Sequence, residues 1–141
     1  MAAIRFFSEE TDFKLPHPRK TSTWIKSALD KEKKTLGDLN FIFCTDEYLL
    51  QINVEYLDHH TYTDIITFDS SETPGTIEGD IFISIERIRE NADKFSRPFD
   101  EELHRVIIHG VLHLIGYGDK TKTAKAKMTK KEDTYLAVRG S

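Results

Sequence analysis

The 141 residues fit one compact domain spanning 1–141, and no shift in composition marks a boundary between two. Charged residues make up 31% and hydrophobic residues 38%, a balance that excludes a disordered tract and indicates a globular chain. A formal net charge of −4 excludes wholesale coating of nucleic acid but leaves room for a local basic face.

Ile4 to Phe7 is a short apolar segment able to open a sheet. A helix follows, capped by Ser22 or Thr23 and running to about Lys34, with Trp24, Ile25, Ala28 and Leu29 on one face. Gly37 closes the connection, and LNFIFC at 39–44 has the aromatic and branched content of a strand. Asp46 is placed to cap a second helix that turns Leu49, Leu50, Ile52 and Tyr56 inward. DIITF at 64–68 predicts a strand, and a loop holding Pro74, Gly75 and Gly79 leads to another from Asp80 to Ile85. Ser84 can cap a helix over 85–95. Asp100 can cap the next, in which Leu103, Val106, Ile107, Gly110, Val111 and Leu114 recur at helical spacing. A last helix, from about Ala124 to Val138, follows a lysine-rich linker.

Strands and helices intermingle without strict alternation. The expected class is therefore α/β (α+β): one compact domain with a mixed sheet of about four strands packed against several helices. A single cysteine, Cys44, rules out an internal disulfide and suits a reducing compartment. The start, MAAIRFFSEE, lacks the apolar core of a secretory signal, and the apolar run from Val106 to Ile115 is too short to cross a bilayer. A cytoplasmic location with no membrane partner is expected.

The chemistry concentrates in HGVLHLIGYGD, residues 109–119. His109 and His113 are four apart on a predicted buried helix, which places them on one face with Cβ atoms roughly 5–6 Å apart. Two imidazoles so placed can converge on one ion. Gly116 suits the end of that helix and Gly118 frees the following turn, so the chain can reverse and present Asp119 to the same ion. That would put a metal site at the end of a buried helix. Spacing alone allows an equal alternative, in which both histidines are buried, satisfied core residues and Asp119 is an ordinary turn residue. Gly110 costs the helix interior about 1 kcal/mol relative to alanine, which close packing against a neighbouring backbone would explain.

The stretch resembles the YbeY family, whose signature is H-G-x-L-H-L-x-G-Y-D-H; HGVLHLIGY matches it from His109 to Tyr117. INVEYL at 52–57, TDIITF at 63–68, GDIFIS at 79–84, EELHRVIIHG before the site and KMTKKEDTYL after it extend the likeness in the family's order. The resemblance implies a metal-dependent, single-strand-specific endoribonuclease. It implies a role in ribosomal RNA maturation, especially at the small-subunit 3′ end, and in ribosome quality control. It also implies His109 and His113 as catalytic metal ligands, with single-stranded or ribosomal RNA, the ribosome and its proteins as partners, and no DNA. Two departures stand out. Asp119 occupies the place of the family's third histidine; a carboxylate still binds zinc, while two histidines plus a carboxylate also suit iron or manganese. Leu57 occupies the place of an arginine thought to act on the RNA backbone.

Three protein ligands would leave a coordination position open for water, the arrangement of a catalytic zinc site. The H-E-x-x-H pattern of metalloproteases is absent, because Gly110 stands where its glutamate would be, and that counts against peptide hydrolysis. Thr63 and Asp64 read first as strand-capping residues; Asp64 and Thr67 come near the metal only if their strand runs beside the histidine helix. His59 and His60 sit in a polar loop beside Leu57, where a solvated role is the simpler one and a cation or proton donor the alternative. Lys120, Lys122 and Lys125 open a lysine run directly after Asp119 and are the candidate phosphate-binding residues. His104 and His17 read as surface or helix-edge residues, and Trp24 as core. Two rival functions stay open: a metal-dependent hydrolase of another substrate, and a non-catalytic ribosome-assembly factor with a structural metal.

Overall fold

The computed structural model describes residues 2–139. Its elements in chain order are β1 (Ala3–Ser8), α1 (Pro18–Lys31), β2 (Thr35–Cys44), α2 (Asp46–Leu57), β3 (Ile65–Asp69), β4 (Thr76–Ser84), α3 (Ile85–Lys94), α4 (Phe99–Ile115) and α5 (Lys122–Ala137). The four strands form one mixed sheet in the order β1-β2-β4-β3. β1, β2 and β4 run parallel, and the edge strand β3 is antiparallel to β4, pairing Ile65 with Ile83 and Thr67 with Ile81. The expected mixed sheet and α/β class are present.

Alternation along β2 sends Leu39, Phe41 and Phe43 to the main core, which holds residues of α1, α3, α4 and α5. On the other face Cys44 and Ile66 pack with Leu49 and Ile52 of α2. The sheet thus lies between one helix and four. Both faces being covered explains why the strands read as apolar runs rather than clean alternations.

Several boundaries differ from the sequence expectation. α1 begins at Pro18, with His17 as its N-cap in the left-handed region at φ 52°, because proline is preorganised for the first turn and has no N–H to satisfy there. Ser22 and Thr23 are therefore inside the helix. Thr45, not Asp46, caps α2 by accepting the Tyr48 N–H at 3.1 Å. Asp46 instead receives Ser84 Oγ at 2.6 Å and Arg87 Nη2 at 3.2 Å, tying α2 to the start of α3. Ser84 caps α3 as expected. Pro98 rather than Asp100 precedes α4. Tyr56 is exposed.

His104 is buried rather than at the surface. Its Nδ1 lies 2.7 Å from the Asp100 carbonyl and its ring 5.6 Å from that of Trp24. Burial pulls its pKa below the usual histidine value, against the opposing pull of Asp100.

Gly110 explains how α4 meets the sheet. A Cβ there would come 2.9 Å from Ile65 Cδ1 and 3.1 Å from Ile81 Cγ2, so the close approach is to side chains of β3 and β4 rather than to backbone. At Gly79 the limit is harsher, since a Cβ would lie 2.2 Å from the Phe68 carbonyl oxygen across the β3–β4 pairing. These two glycines predict different outcomes in urea unfolding. Gly79→Ala should cost about 3 kcal/mol, because backbone must separate. Gly110→Ala should cost less, about 1 kcal/mol, because the gain in helix propensity partly offsets a methyl pressed against Ile65 Cδ1 and the buried Ile81.

Candidate active site

α4 is amphipathic in a specific way. Val106, Ile107, Val111 and Leu112 are buried, while Glu102, Arg105, His109 and His113 fall at spacings of three and four along one stripe. That stripe forms one wall of a cleft of about 900 Å³. The facing walls are the α2–β3 loop and β3, including His59, Asp64 and Thr67, and the α4–α5 turn with Asp119 and Lys120. Gly116 ends α4 at φ 125°, its N–H reaching the Leu112 and His113 carbonyls at 3.1 Å, and Tyr117 N–H also returns to Leu112. This is the turn that brings Asp119 back over the helix; Gly118 contributes no positive φ to it.

His109 is held from both sides. Its Nδ1 lies 2.8 Å from Glu132 Oε2 on α5, and its Nε2 lies 3.3 Å from Asp119 Oδ2. Arg105 anchors Glu132 at 3.0 Å through Nη1 and Asp133 at 2.7 Å through Nη2. With Nδ1–H donating to Glu132, Nε2 faces Asp119 in the cleft, the arrangement in which an outer carboxylate orients a metal-binding imidazole. Burial alone would lower the His109 pKa, but the Glu132 hydrogen bond and charge, then Asp119 and Asp64, outweigh it and raise the value above the usual one.

The donor set can be tested against a cation. Two ligands bound at about 2.0–2.1 Å on a tetrahedral centre stand roughly 3.3–3.4 Å apart. The His109–Asp119 separation of 3.3 Å matches that edge. An imidazole lone pair beside a carboxylate suits zinc, iron or manganese alike. His113 lines the same cleft but is exposed, and among the described residues no three His, Cys, Asp or Glu side chains are gathered so that they could hold a metal ion. His109 and Asp119 are paired; His113 stands beside them.

Other candidates separate. The Asp64 carbonyl accepts the Ser84 N–H at 3.0 Å, closing the strand end, while the Asp64 residue also lines the cleft beside Thr67. Burial raises the pKa of its carboxyl despite the neighbouring His109. His59 lines the cleft with Leu57, whereas His60 is exposed and lies 3.4 Å from Asp58. Lys120 lines the cleft; Lys122 and Lys125 stand outside its lining, on α5. Glu132 and Arg105 are the residues that sequence reading missed. Glu132 lies 23 positions from its histidine, and only the docking of α5 on α4 brings them together.

A histidine helix facing a carboxylate across a polar cleft in an α/β domain has the construction of a hydrolytic centre. The sequence model of the family described as endoribonuclease YbeY matches residues 6–140. The chain is 52% identical to the endoribonuclease YbeY of Cytophaga hutchinsonii, over 96% of this chain and 95% of the relative. It is 51% identical to that of Christiangramia forsetii, over 96% and 93%. Among solved structures it is similar to TM1509 from Thermotoga maritima, with a TM-score of 0.69 and 27% identity over 97% of this chain and 89% of that one. The chain belongs to the endoribonuclease YbeY family, and its enzyme class is an RNA-cleaving hydrolase.

Two of the three histidines of α4, His104 and His109, should be shifted in opposite directions, which an NMR titration of the metal-free protein can resolve. His109 should titrate above a free imidazole, and His104 below it. For His109 the stabilising contribution is complete below the unfolded value of about 6.5 and is lost as pH rises through the folded value. Glu132→Gln should bring His109 down and leave His104 in place.

Proposed function

We propose that this chain is a metal-dependent endoribonuclease that cuts single-stranded RNA. Its role, on this reading, is in the maturation of ribosomal RNA at the small-subunit 3′ end and in ribosome quality control, acting in the cytoplasm on the ribosome and its proteins. The observation that carries the reading is His109 fixed between Glu132 and Asp119, with its Nε2 turned toward Asp119 in the cleft. His109, His113 and Asp119 are the metal-holding residues in this proposal, with zinc as the first candidate and iron or manganese as alternatives suited to the carboxylate. A cation bound there lowers the pKa of a water and polarises a phosphoryl oxygen.

The chain's own residues do the rest. Glu132 fixes the tautomer and orientation of His109, and Arg105 keeps Glu132 in place. Lys120, next to Asp119 in the cleft, draws the RNA backbone toward the site. Leu57 fills the lining where the family has an arginine, so a cation near the scissile phosphate must come from Lys120 or from His59 when protonated. Peptide hydrolysis is disfavoured by packing as well as by sequence. The position that carries the metalloprotease glutamate is Gly110, wedged against Ile65 and Ile81 with no space for a carboxylate.

Elemental analysis of unchelated protein, paired with cleavage of a single-stranded RNA, tests this reading. Chelation should abolish cleavage and divalent metal should restore it. Asp119→Ala and His113→Ala should each lower bound metal and cut activity at least ~100-fold, and Glu132→Gln should weaken metal binding by about 10–100-fold. Equal metal content in the parent and Asp119→Ala would exclude Asp119 as a ligand. Undiminished cleavage by His113→Ala would point to a contaminating nuclease.

A further inference from the structure

Lysines crowd into one stretch of an otherwise acidic chain. Between Asp119 and Glu132 stand Lys120, Lys122, Lys125, Lys127, Lys130 and Lys131, with no acidic residue among them, in a protein of formal net charge −4. The structure divides them by task. Lys131 Nζ lies 2.9 Å from Glu32 Oε2, and Lys127 and Lys131 sit over the Tyr117 ring at 5.5 and 5.6 Å, so these two fasten α5 to the α4–α5 turn. Lys120 belongs to the cleft. Lys122, Lys125 and Lys130 are exposed, and among the described residues none of them has a carboxylate partner; the acidic pair that follows on α5, Glu132 and Asp133, is engaged by Arg105.

That arrangement is unfavourable for the helix itself. Lys122 occupies the first turn of α5, where the macrodipole favours anions, and α5 has no acidic residue in that turn. Lys122 and Lys125, and Lys127 and Lys130, are like charges three apart, and Asp133, the acidic residue three after Lys130, is paired with Arg105. An anionic ligand would compensate all of these at once.

Arg105 links this surface to the cleft: it lines the cleft and pairs with Asp133 on α5. Lys125 and Lys130 line a shallow depression on the outer side of α5 with Thr129, Thr134 and Asp133. Asp133 is the one carboxylate in it, and it is held at 2.7 Å by Arg105, which also pairs with Glu132. Beside the cleft, which Lys120 lines, α5 thus offers Lys125 and Lys130 to a polyanion, with its one nearby carboxylate already engaged by Arg105.

We infer that the outer face of α5 is a second anion-binding surface, which holds the phosphodiester backbone of the RNA flanking the strand in the cleft. This rests on the ribonuclease reading of the cleft and adds to it a length-dependent, sequence-independent grip. Such a grip works by counterion release, so its strength falls steeply with salt.

The test is fluorescence anisotropy with full-length, metal-free protein, so that binding is read without cleavage. A 20-nucleotide and a 4-nucleotide single-stranded RNA of the same composition are titrated at several salt concentrations against the parent, Lys125→Glu/Lys130→Glu and Lys125→Arg/Lys130→Arg. For the charge-reversed protein, the preference for the longer RNA should fall at least ~10-fold. Its salt slope should become shallower by about 1.4, the value for two single-strand phosphate contacts. The arginine variant should keep the parent's preference and slope. An unchanged preference and slope in the charge-reversed protein would overturn the inference while leaving the ribonuclease reading intact. Parent protein that binds neither RNA and cleaves none when metal is restored would instead sink that reading. A slope as steep with oligoglutamate as with RNA, and no dependence on RNA length, would assign the face to an acidic protein and overturn the inference.

Discussion

The seating of α4 against β3 and β4 is the constraint on which the site depends. Because residue 110 has no side chain, Ile65 and Ile81 fill the space beside the helix axis. The helix can then bury Val106, Ile107, Val111 and Leu112 while its stripe of Glu102, Arg105, His109 and His113 emerges along the rim of the sheet. A helix held farther off would widen the cleft and part His109 from β3 and from Asp64 at its start. Close packing of apolar side chains thus sets the position of a polar site, and a rigid core is what makes that position reproducible.

On that scaffold a chain of alternating charge runs from the cleft to the outer surface: Asp119, His109, Glu132, Arg105, Asp133. Each member is partnered on both sides except at the ends, which is how charged groups become tolerable at partial burial. The chain also shows why two histidines five residues apart on one helix behave oppositely. His104 faces Trp24 and a backbone carbonyl, so burial governs and its charged form is disfavoured. His109 faces two carboxylates, so burial is outweighed and its charged form is favoured.

Much of this was legible in the sequence because it depends on local periodicity. The histidine pair at i, i+4, the helix ending at Gly116 and Asp119 just beyond it all follow from short-range rules, as do the apolar strands around Phe41 and Ile81. What escaped is tertiary. Glu132 carries no mark that separates it from the other charged residues of α5, since its role arises when that helix docks on α4. His104 looked exposed because nothing nearby in sequence announces Trp24, eighty positions earlier, as its neighbour. The lysine run read as one feature, yet helical geometry distributes it among the cleft, the outer face of α5 and the contact with Tyr117 and Glu32. The start of α1 was misjudged for a smaller reason, as Pro18 sets the first turn more firmly than a serine or threonine four or five positions later.

Membership of the endoribonuclease YbeY family is shown by most of the chain's length, while Asp119 as the third metal ligand is a proposal drawn from its 3.3 Å approach to His109. X-ray absorption at the zinc edge of the zinc-loaded parent, compared with Asp119→Ala, addresses that ligand directly. Two imidazole nitrogens and at least one carboxylate oxygen at about 2.0–2.2 Å, with the carboxylate contribution lost in the variant, is the expected result. An identical first coordination sphere in both proteins would contradict it.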